Sequence, residues 1–179
     1  MFSCINIAMQ GQSEILIFVL LFIIGIALFT SATIWSKSIF QQNIDVARIE
    51  SSEKFMKDLN ENILNIIKFG GSQEMEYNLD GTIELNTTTN NTIEIKTPPV
   101  TIPLPASWVN ISSDGSYIRE KLEGNVFRIQ AIYNNTKDYK VEFFTEGSTL
   151  ARPKYISIER NKTYSVSGLT VIKIKVTFS

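Results

Sequence analysis

Hydrophobic and polar positions change period along the chain, and the first pattern is a long apolar run. Residues 15–36 contain no charged side chain, which makes 22 consecutive uncharged positions. A helix over residues 15–35, called the apolar segment below, is about 30 Å long and can cross the hydrocarbon core of a bilayer. Because a backbone in lipid must satisfy its own hydrogen bonds, the pattern predicts a membrane-spanning helix.

The helical pattern continues beyond the apolar segment. Residues 36–69 contain no Pro or Gly, and the pair Gly70 and Gly71 then predicts a helix end. Apolar residues recur every three or four positions, as on the buried face of an amphipathic helix, and Asp45 is placed on another face. The stripe consists of Phe40, Ile44, Ala47, Phe55, Leu59, Ile63, Ile66 and Ile67. The sequence therefore predicts a helical N-terminal region over residues 12–69, amphipathic over 36–69, after a leader-like segment of residues 1–11. Residues 1–13 are expected to be irregular, so the helix itself is expected to start at the edge of the apolar segment.

The rest of the chain, residues 72–179, is called the head and alternates with a period of two. Such alternation predicts short strands. They are placed at residues 74–79, 82–85, 92–96, 108–112, 125–133, 139–145, 154–159 and 170–178. Residues 97–105 contain four prolines, so this segment is predicted to be a connector or a sheet edge. The predicted fold class is α+β, in which a long N-terminal helix precedes an antiparallel β-sandwich of the immunoglobulin-like type.

Composition excludes most kinds of chemistry. Histidine is absent, which removes the usual general base and the commonest metal ligand. Cys4 is the single cysteine, so an intrachain disulfide and a thiolate metal cluster are both excluded. The net charge of −1 gives no electrostatic reason to expect nucleic acid as a partner. We therefore expect no catalytic residue, no metal site and no cofactor. Trp108 is expected to lie in the core of the sandwich.

Glycosylation sequons are confined to the head. The pattern Asn-X-Ser/Thr occurs five times there and never in residues 1–69. The acceptor residues are Asn86, Asn90, Asn110, Asn134 and Asn161. This distribution favours a head that lies outside the cell and carries glycan.

The residues directly before the apolar segment resemble a family signature. Gln10, Gly11, Gln12, Ser13 and Glu14 lead straight into Ile-Leu-Ile-Phe-Val-Leu, which resembles the start of archaeal type IV pilin-like proteins. The resemblance implies that a prepilin peptidase removes residues 1–11 by cutting between Gly11 and Gln12. It also implies a membrane-inserted precursor and a homo-oligomeric surface filament, with the helices inside and the heads outside.

Several residues are candidates for assembly. A carboxylate beside a bilayer-spanning segment is costly to bury alone, so Glu14 is expected to pair with the N-terminal ammonium of a neighbouring subunit. Gly25 and the small pair Ala27 and Ser31, four residues apart, allow helices to approach closely. These residues predict a structural subunit that assembles through its N-terminal helix and uses its head for adhesion or contact.

Two features depart from the pilin-like pattern and leave a second class open. Residues 1–10 contain no Lys or Arg, although prepilin leaders usually carry one before the cut. Basic residues, starting with Lys37, follow the apolar segment, and the positive-inside rule then places the head in the cytoplasm. The alternative is an uncleaved, single-span envelope protein whose β-sandwich binds a partner, similar to archaellum stator subunits.

Overall fold

The computed structural model of this protein describes residues 3–87, 91–112, 117–133 and 139–179, with side chains from Glu14 onward. The chain forms two compact units, Met1–Asn43 and Ile44–Ser179. The first unit is helical over its described residues and contains the apolar segment. The second contains the end of the same helix, all of the described strands and the hydrophobic core.

A single helix, α1, spans Ser3–Phe69. It ends where the sequence predicts, because Gly70 and Gly71 have positive φ angles of 78° and 93°, which glycine adopts without side-chain strain. The prediction that residues 1–13 are irregular is wrong, since α1 begins at Ser3. That segment has no proline, and its one glycine, Gly11, costs a helix only about 1 kcal/mol relative to alanine.

Ten strands follow α1 in the described part of the chain. They are β1 (Ser72–Glu76), β2 (Thr82–Asn86), β3 (Thr92–Pro99), β4 (Val109–Asn110), β5 (Tyr117–Glu123), β6 (Val126–Ile132), β7 (Tyr139–Phe144), β8 (Leu150–Ala151), β9 (Tyr155–Val166) and β10 (Leu169–Phe178). The predicted strands correspond to eight of these, and β5 and β8 were not predicted. Charged residues hide the alternation of β5, because Glu120 occupies the same face as the buried Ile118.

The strands form two sheets. One has the order β1-β9-β10-β7, and the other has the order β4-β5-β6-β3-β2-β8. Neighbouring strands are antiparallel except β7 and β10, which run parallel. The coarse prediction of an α+β protein, with a long helix before the sheets, is confirmed. The expectation that every pair is antiparallel is wrong at β7 and β10, because alternation indicates the buried face but not the partner or its direction.

The proline-rich segment begins inside a sheet. The sequence predicts a connector or a sheet edge at residues 97–105, yet β3 extends to Pro99 and lies between β6 and β2. The pairing register of β3 with β6 shifts between Lys96 and Pro99. The prediction is therefore wrong for residues 97–99, and Pro98 and Pro99 are tolerated because the ladder is already irregular there.

One hydrophobic core joins α1 to both sheets. Met56, Leu59 and Ile63 of α1 are fully buried, together with Phe127 of β6 and Ile174 of β10. Burial of such side chains stabilises a fold by about 1.5–3 kcal/mol each, so the second half of α1 is a structural part of the second unit.

The buried face of α1 agrees with the predicted stripe only near its end. The buried members there are Leu59, Ile63, Ile66 and Ile67, as predicted. Further upstream, Ile44 and Ala47 are exposed, and the prediction is wrong. The buried positions are instead Asp45, Ile49, Ser52 and Met56. Asp45 and Ser52 can lie on this buried face because their side chains have hydrogen-bond partners. A search for apolar residues at helical spacing does not detect such partners.

Tyr133 carries a buried hydroxyl that has no hydrogen-bond partner among the described residues. Its ring packs edge-on against Phe143, with ring centroids 4.9 Å apart, and burial raises the pKa of the hydroxyl far above its ordinary value. Tyr133→Phe is expected to stabilise the fold by about 1 kcal/mol, because the ring contact remains and an unpaired polar group is removed. Urea unfolding of the full-length chain in detergent micelles measures the change. The exposed Tyr117→Phe is the matched control, and a clear loss of stability in Tyr133→Phe contradicts the expectation.

Candidate functional site

The apolar segment is exposed along its whole length. Every large apolar side chain from Ile15 to Trp35 is between 46% and 78% accessible to solvent. Among the described residues, one helix, Glu14–Phe69, is long and apolar enough to cross a membrane. Its most apolar stretch of 18 residues is not buried at all. Exposed apolar surfaces of this size are typical of sites that contact lipid or protein.

Hydroxyl groups within the apolar segment are already satisfied. Thr30, Ser31 and Thr33 each donate a hydrogen bond of 2.8 Å to the backbone carbonyl four residues earlier. These side chains therefore bring no unpaired donor into an apolar environment. Ser31 uses its hydroxyl on the carbonyl of Ala27, so the predicted small pair is linked within one helix and leaves a largely apolar outer surface.

Gly25 forms a notch between aromatic side chains. The notch is lined by Leu21, Phe22, Ile26 and Phe29 together with Gly25 itself. A Cβ atom at Gly25 would meet nothing within 4 Å, and its φ angle is not positive, so the fold of this unit does not require glycine there. The notch is a place where another helix backbone can approach closely.

The predicted small residues lie on two faces of α1. At about 100° per residue, Gly25 and Ala27 point roughly 160° apart, whereas Ala27 and Ser31 are neighbours on one face. Ala32 lies two turns after Gly25 and lines a second notch with Thr33, Ser36 and Lys37, between Phe29 and Phe40. The apolar segment therefore offers one notched face and, nearly opposite, the face of Ala27 and Ser31.

The predicted leader site lies within α1. Gly11 and Gln12 are part of the helix, and the structure describes side chains only from Glu14 onward. Glu14 is exposed, one residue before the apolar segment. The helix thus places Glu14 at the boundary of the apolar segment.

Three of the five sequon acceptors lie in the described structure, and all three are exposed. Asn86 ends β2, Asn110 is in β4, and Asn161 is in β9 where the register with β10 shifts between Lys173 and Ile174. The Oδ1 atom of Asn110 accepts a hydrogen bond of 3.0 Å from Ser112, the hydroxyl residue of its own sequon. Asn90 and Asn134 lie outside the described residues.

A group of polar side chains, missed in the sequence, joins α1 to the segment after β3. Asp45 is fully buried and accepts two hydrogen bonds of 2.7 Å, from the backbone N–H and the hydroxyl of Thr101. Arg48, one turn later, lies 3.3 Å from the same carboxylate. Helical spacing was the sequence signal for the burial of Asp45, because Asp45 precedes the buried Ile49 by four residues and so lies on the same helix face.

The contact at Asp45 continues as a chain of charges. Arg48 also pairs with Asp80 at 3.1 Å, and Asp80 pairs with Arg152 at 3.0 Å. Asp80 lies between β1 and β2, and Arg152 directly follows β8. Ion pairs linked in a network hold their geometry better than isolated surface pairs. This network fixes the second half of α1 to two separate segments of the head.

Trp108 lies on a charged face, and the expectation that it belongs to the core is wrong. It is half-buried, and the guanidinium of Arg119 lies 4.5 Å from its ring centroid, with Lys121 at 4.9 Å. Arg128 lies 6.0 Å from the same ring and pairs with Glu94 and Glu123. The indole stacks on cations because the six-stranded sheet turns these charged positions outward.

Comparison with protein-family models, with curated proteins and with solved structures finds no match to this chain. Within the described part, no group of three or more Cys, Asp or Glu is placed to hold a metal ion.

Proposed function

We propose that this chain is a structural subunit of an archaeal type IV pilus-like surface filament. The observation that carries the proposal is the exposed apolar segment within a helix whose second half belongs to a folded, β-rich unit. Such a segment needs lipid or other apolar helices around it, whereas the second unit has its own core. A membrane-inserted precursor and a filament of bundled helices both meet that need.

The side chains of the apolar segment suit both environments. Satisfied hydroxyls at Thr30, Ser31 and Thr33 make transfer from lipid to a helix bundle nearly neutral for these groups. A subunit within a filament contacts neighbours on several sides, and the segment offers the notched face of Gly25 and the face of Ala27 and Ser31. Glu14 is proposed to pair with the N-terminal ammonium that a prepilin peptidase creates at Gln12 of a neighbouring subunit.

The head is proposed to form the outer surface of the filament and to serve in adhesion or contact. Exposure of Asn86, Asn110 and Asn161 is compatible with glycan at these sequons. The finer fold is also part of the proposal: the two sheets, which contribute to one core, are proposed to face each other as an immunoglobulin-like sandwich. The filament surface would then consist of repeated, sugar-bearing β domains.

A second candidate is favoured by one observation. Helix α1 runs without interruption from Ser3 through Gly11 and Gln12, so the proposed cleavage site is not in an extended segment. A chain that keeps residues 1–11 would be an uncleaved, single-span envelope protein whose head binds a partner. Lys37 after the apolar segment adds a charge bias that suits a head on the cytoplasmic side.

Cleavage distinguishes the two candidates. We expect that native protein, isolated from sheared surface filaments, begins at Gln12 and lacks the mass of residues 1–11. N-terminal sequencing and intact mass spectrometry measure this directly. A Gly11→Ile variant is the test of the site, because a bulky residue before the cut is expected to leave the precursor unprocessed in the membrane.

Gly25→Ala is the matched control for that experiment, since it changes a glycine of the same helix outside the cleavage site. We expect normal processing in this variant. If the protein is found only in detergent-extracted membranes and retains residues 1–11, the pilin proposal is wrong and the anchor is favoured.

A further inference from the structure

The sequon acceptor Asn110 lies beside a tryptophan on the outer face of the six-stranded sheet. In the ladder between β4 and β5, Asn110 is the register partner of Arg119. Side chains of directly opposed residues lie on one face of a sheet, with Cβ atoms about 4.5–5.5 Å apart. The guanidinium of the same Arg119 lies 4.5 Å from the ring centroid of Trp108. The indole and the acceptor amide are therefore neighbours that share Arg119.

Cations of β5 and β6 contact the indole from the side of the sheet. Lys121 and Arg128 lie 4.9 Å and 6.0 Å from the ring centroid, and they are register partners of each other. The other face of β5 carries the buried Ile118. Trp108 is only half-buried, so its exposed surface lies on the side of the ring that faces away from the sheet.

Arg119 is held in place but keeps a free donor. Its Nε and Nη2 atoms donate hydrogen bonds of 3.0 Å and 2.8 Å to Oε1 of Gln130. Among the described residues, nothing accepts a hydrogen bond from Nη1 of Arg119, and no carboxylate forms an ion pair with it. Lys121 and Arg128, in contrast, both pair with Glu123. A fixed guanidinium with a free N–H can donate to hydroxyl or carboxylate oxygens.

The sequon of Asn110 is accessible. Asn110 is exposed on β4, the edge strand of its sheet, and its Oδ1 atom accepts a hydrogen bond of 3.0 Å from Ser112. In the described part of the chain, no group accepts a hydrogen bond from Nδ2 of Asn110. This nitrogen is the atom that bonds to sugar in N-glycosylation.

The other two described acceptors differ at the corresponding strand position. The residue two before the acceptor lies on the same face of a strand. It is Glu84 for Asn86 and Glu159 for Asn161, whereas an aromatic residue precedes Asn110 at this spacing. Of the described sequons, Asn110 is therefore the one beside an aromatic face.

We propose that Asn110 carries a glycan whose first sugar packs on Trp108 and bonds to Arg119. The C–H groups of a pyranose ring pack on the electron-rich face of the indole, and its oxygens accept hydrogen bonds from Nη1 of Arg119. The sugar also excludes water from the contact between the indole and the cations, which strengthens that contact. Glycan transfer needs a head outside the cell, so the inference rests on that part of the proposed function.

The sugar is transferred from a lipid-phosphate donor by an external transferase. The Nδ2 atom of Asn110 attacks the anomeric carbon of the donor sugar, and a C–N bond replaces the bond from that carbon to the phosphate oxygen. The lipid phosphate leaves with the bonding electron pair. The amide proton passes to a base of the transferase.

Mass spectrometry of the native full-length protein tests whether the glycan is present. Trypsin cuts after Lys96 and Arg119 and releases residues 97–119, a peptide whose one sequon is that of Asn110. We expect this peptide to carry the mass of a glycan. An unmodified peptide overturns the inference, and it leaves the proposed function intact if filaments are present and their subunits begin at Gln12.

A double-mutant cycle separates the sugar contact from the structural role of Trp108. Trp108→Ala is compared in the purified glycosylated chain and in Asn110→Gln, which cannot carry the sugar, by urea unfolding in detergent micelles. We expect Trp108→Ala to lower the folded-to-unfolded ratio more in the glycosylated chain, by roughly two- to tenfold, as for loss of an aromatic contact. Equal losses in the two backgrounds overturn the inference.

Asn161→Gln is the matched control background. Asn161 lies on β9, in the four-stranded sheet, so its replacement is expected to leave the effect of Trp108→Ala unchanged. If Asn161→Gln reduces that effect as much as Asn110→Gln does, the coupling is not specific to the neighbouring sugar and the inference is wrong.

Fluorescence quenching provides a readout that does not depend on unfolding. The chain has two tryptophans, so Trp35→Phe leaves Trp108 as the single indole. In this background, we expect acrylamide to quench Trp108 less when Asn110 carries its glycan than when Asn110→Gln has removed it. Equal quenching would show that the sugar does not cover the indole and would overturn the inference.

Discussion

Gly25→Leu is expected to abolish filaments while leaving the protein in the membrane. A Cβ at this position meets nothing within 4 Å in the single chain, so the larger side chain does not disturb α1. Leucine is also a better helix former than glycine, by roughly 0.8–1.0 kcal/mol, and is compatible with lipid. In a filament, however, leucine fills the notch between Phe22 and Phe29 that a neighbouring helix is proposed to occupy. Overpacking costs about 1–3 kcal/mol at each contact, and every subunit repeats it.

Electron microscopy of cells and immunoblots of the membrane fraction measure the two parts of this result. Ile34→Leu is the matched control, because it keeps the side-chain volume and so does not overpack the face of Ala27 and Ser31 on which Ile34 lies. This control is expected to form filaments in normal number. Normal filaments in Gly25→Leu would show that the notched face is not an assembly contact, and loss of the protein from the membrane would point to failed insertion.

Asp45→Ala is expected to destabilise the second unit by about 3 kcal/mol, the largest effect of a single side chain outside the apolar core. The substitution leaves the N–H and the hydroxyl of Thr101 without their acceptor. It also removes one of the two carboxylates that pair with Arg48. Asp45→Asn keeps an oxygen acceptor but loses the charge, so a smaller loss is expected.

Urea unfolding in detergent micelles, followed by near-ultraviolet circular dichroism, measures the loss. Asp58→Ala is the matched control, since Asp58 is an exposed aspartate of the same helix and is expected to change stability by less than about 0.5 kcal/mol. An equal effect of the two alanine substitutions would mean that the contact of Asp45 with Thr101 contributes nothing measurable.

Local patterns predicted those parts of the fold that depend on local chemistry. The end of α1 follows from the backbone freedom of Gly70 and Gly71, and the strand at β10 follows from strict alternation. The partner of β10 did not follow, because the parallel pairing with β7 is a long-range choice. Strand β5 was missed because its charged Glu120 lies on the same face as the buried Ile118 and interrupts the apolar alternation.

The candidate site was predictable to a similar extent. The position of the apolar segment follows from the sequence and agrees with the structure. The division of Gly25 and Ala27 onto different faces follows from helical spacing alone, because residues two apart in sequence lie on nearly opposite sides of a helix. Helical spacing from Ile49 was the one local signal for the burial of Asp45, and its acceptor role could not be predicted because it depends on Thr101, far away in the sequence. Cleavage after Gly11, the pairing of Glu14 and glycosylation stay predictions.

Strand β10 lies between β9 and β7 in its sheet, although it is the last of the described strands to leave the ribosome. In the described sheet, β7 therefore has no strand partner until β10, residues 169–178, has been synthesised. Pairing across so long an intervening chain is slow. The apolar segment is synthesised far earlier than β10. During translation the apolar segment and an unpaired β-strand are therefore exposed at the same time. We therefore expect biogenesis of this chain to need protection against aggregation at the apolar segment and at β1 and β7, whose partner strands are synthesised later, a demand that a sheet made only of sequential hairpins would not impose.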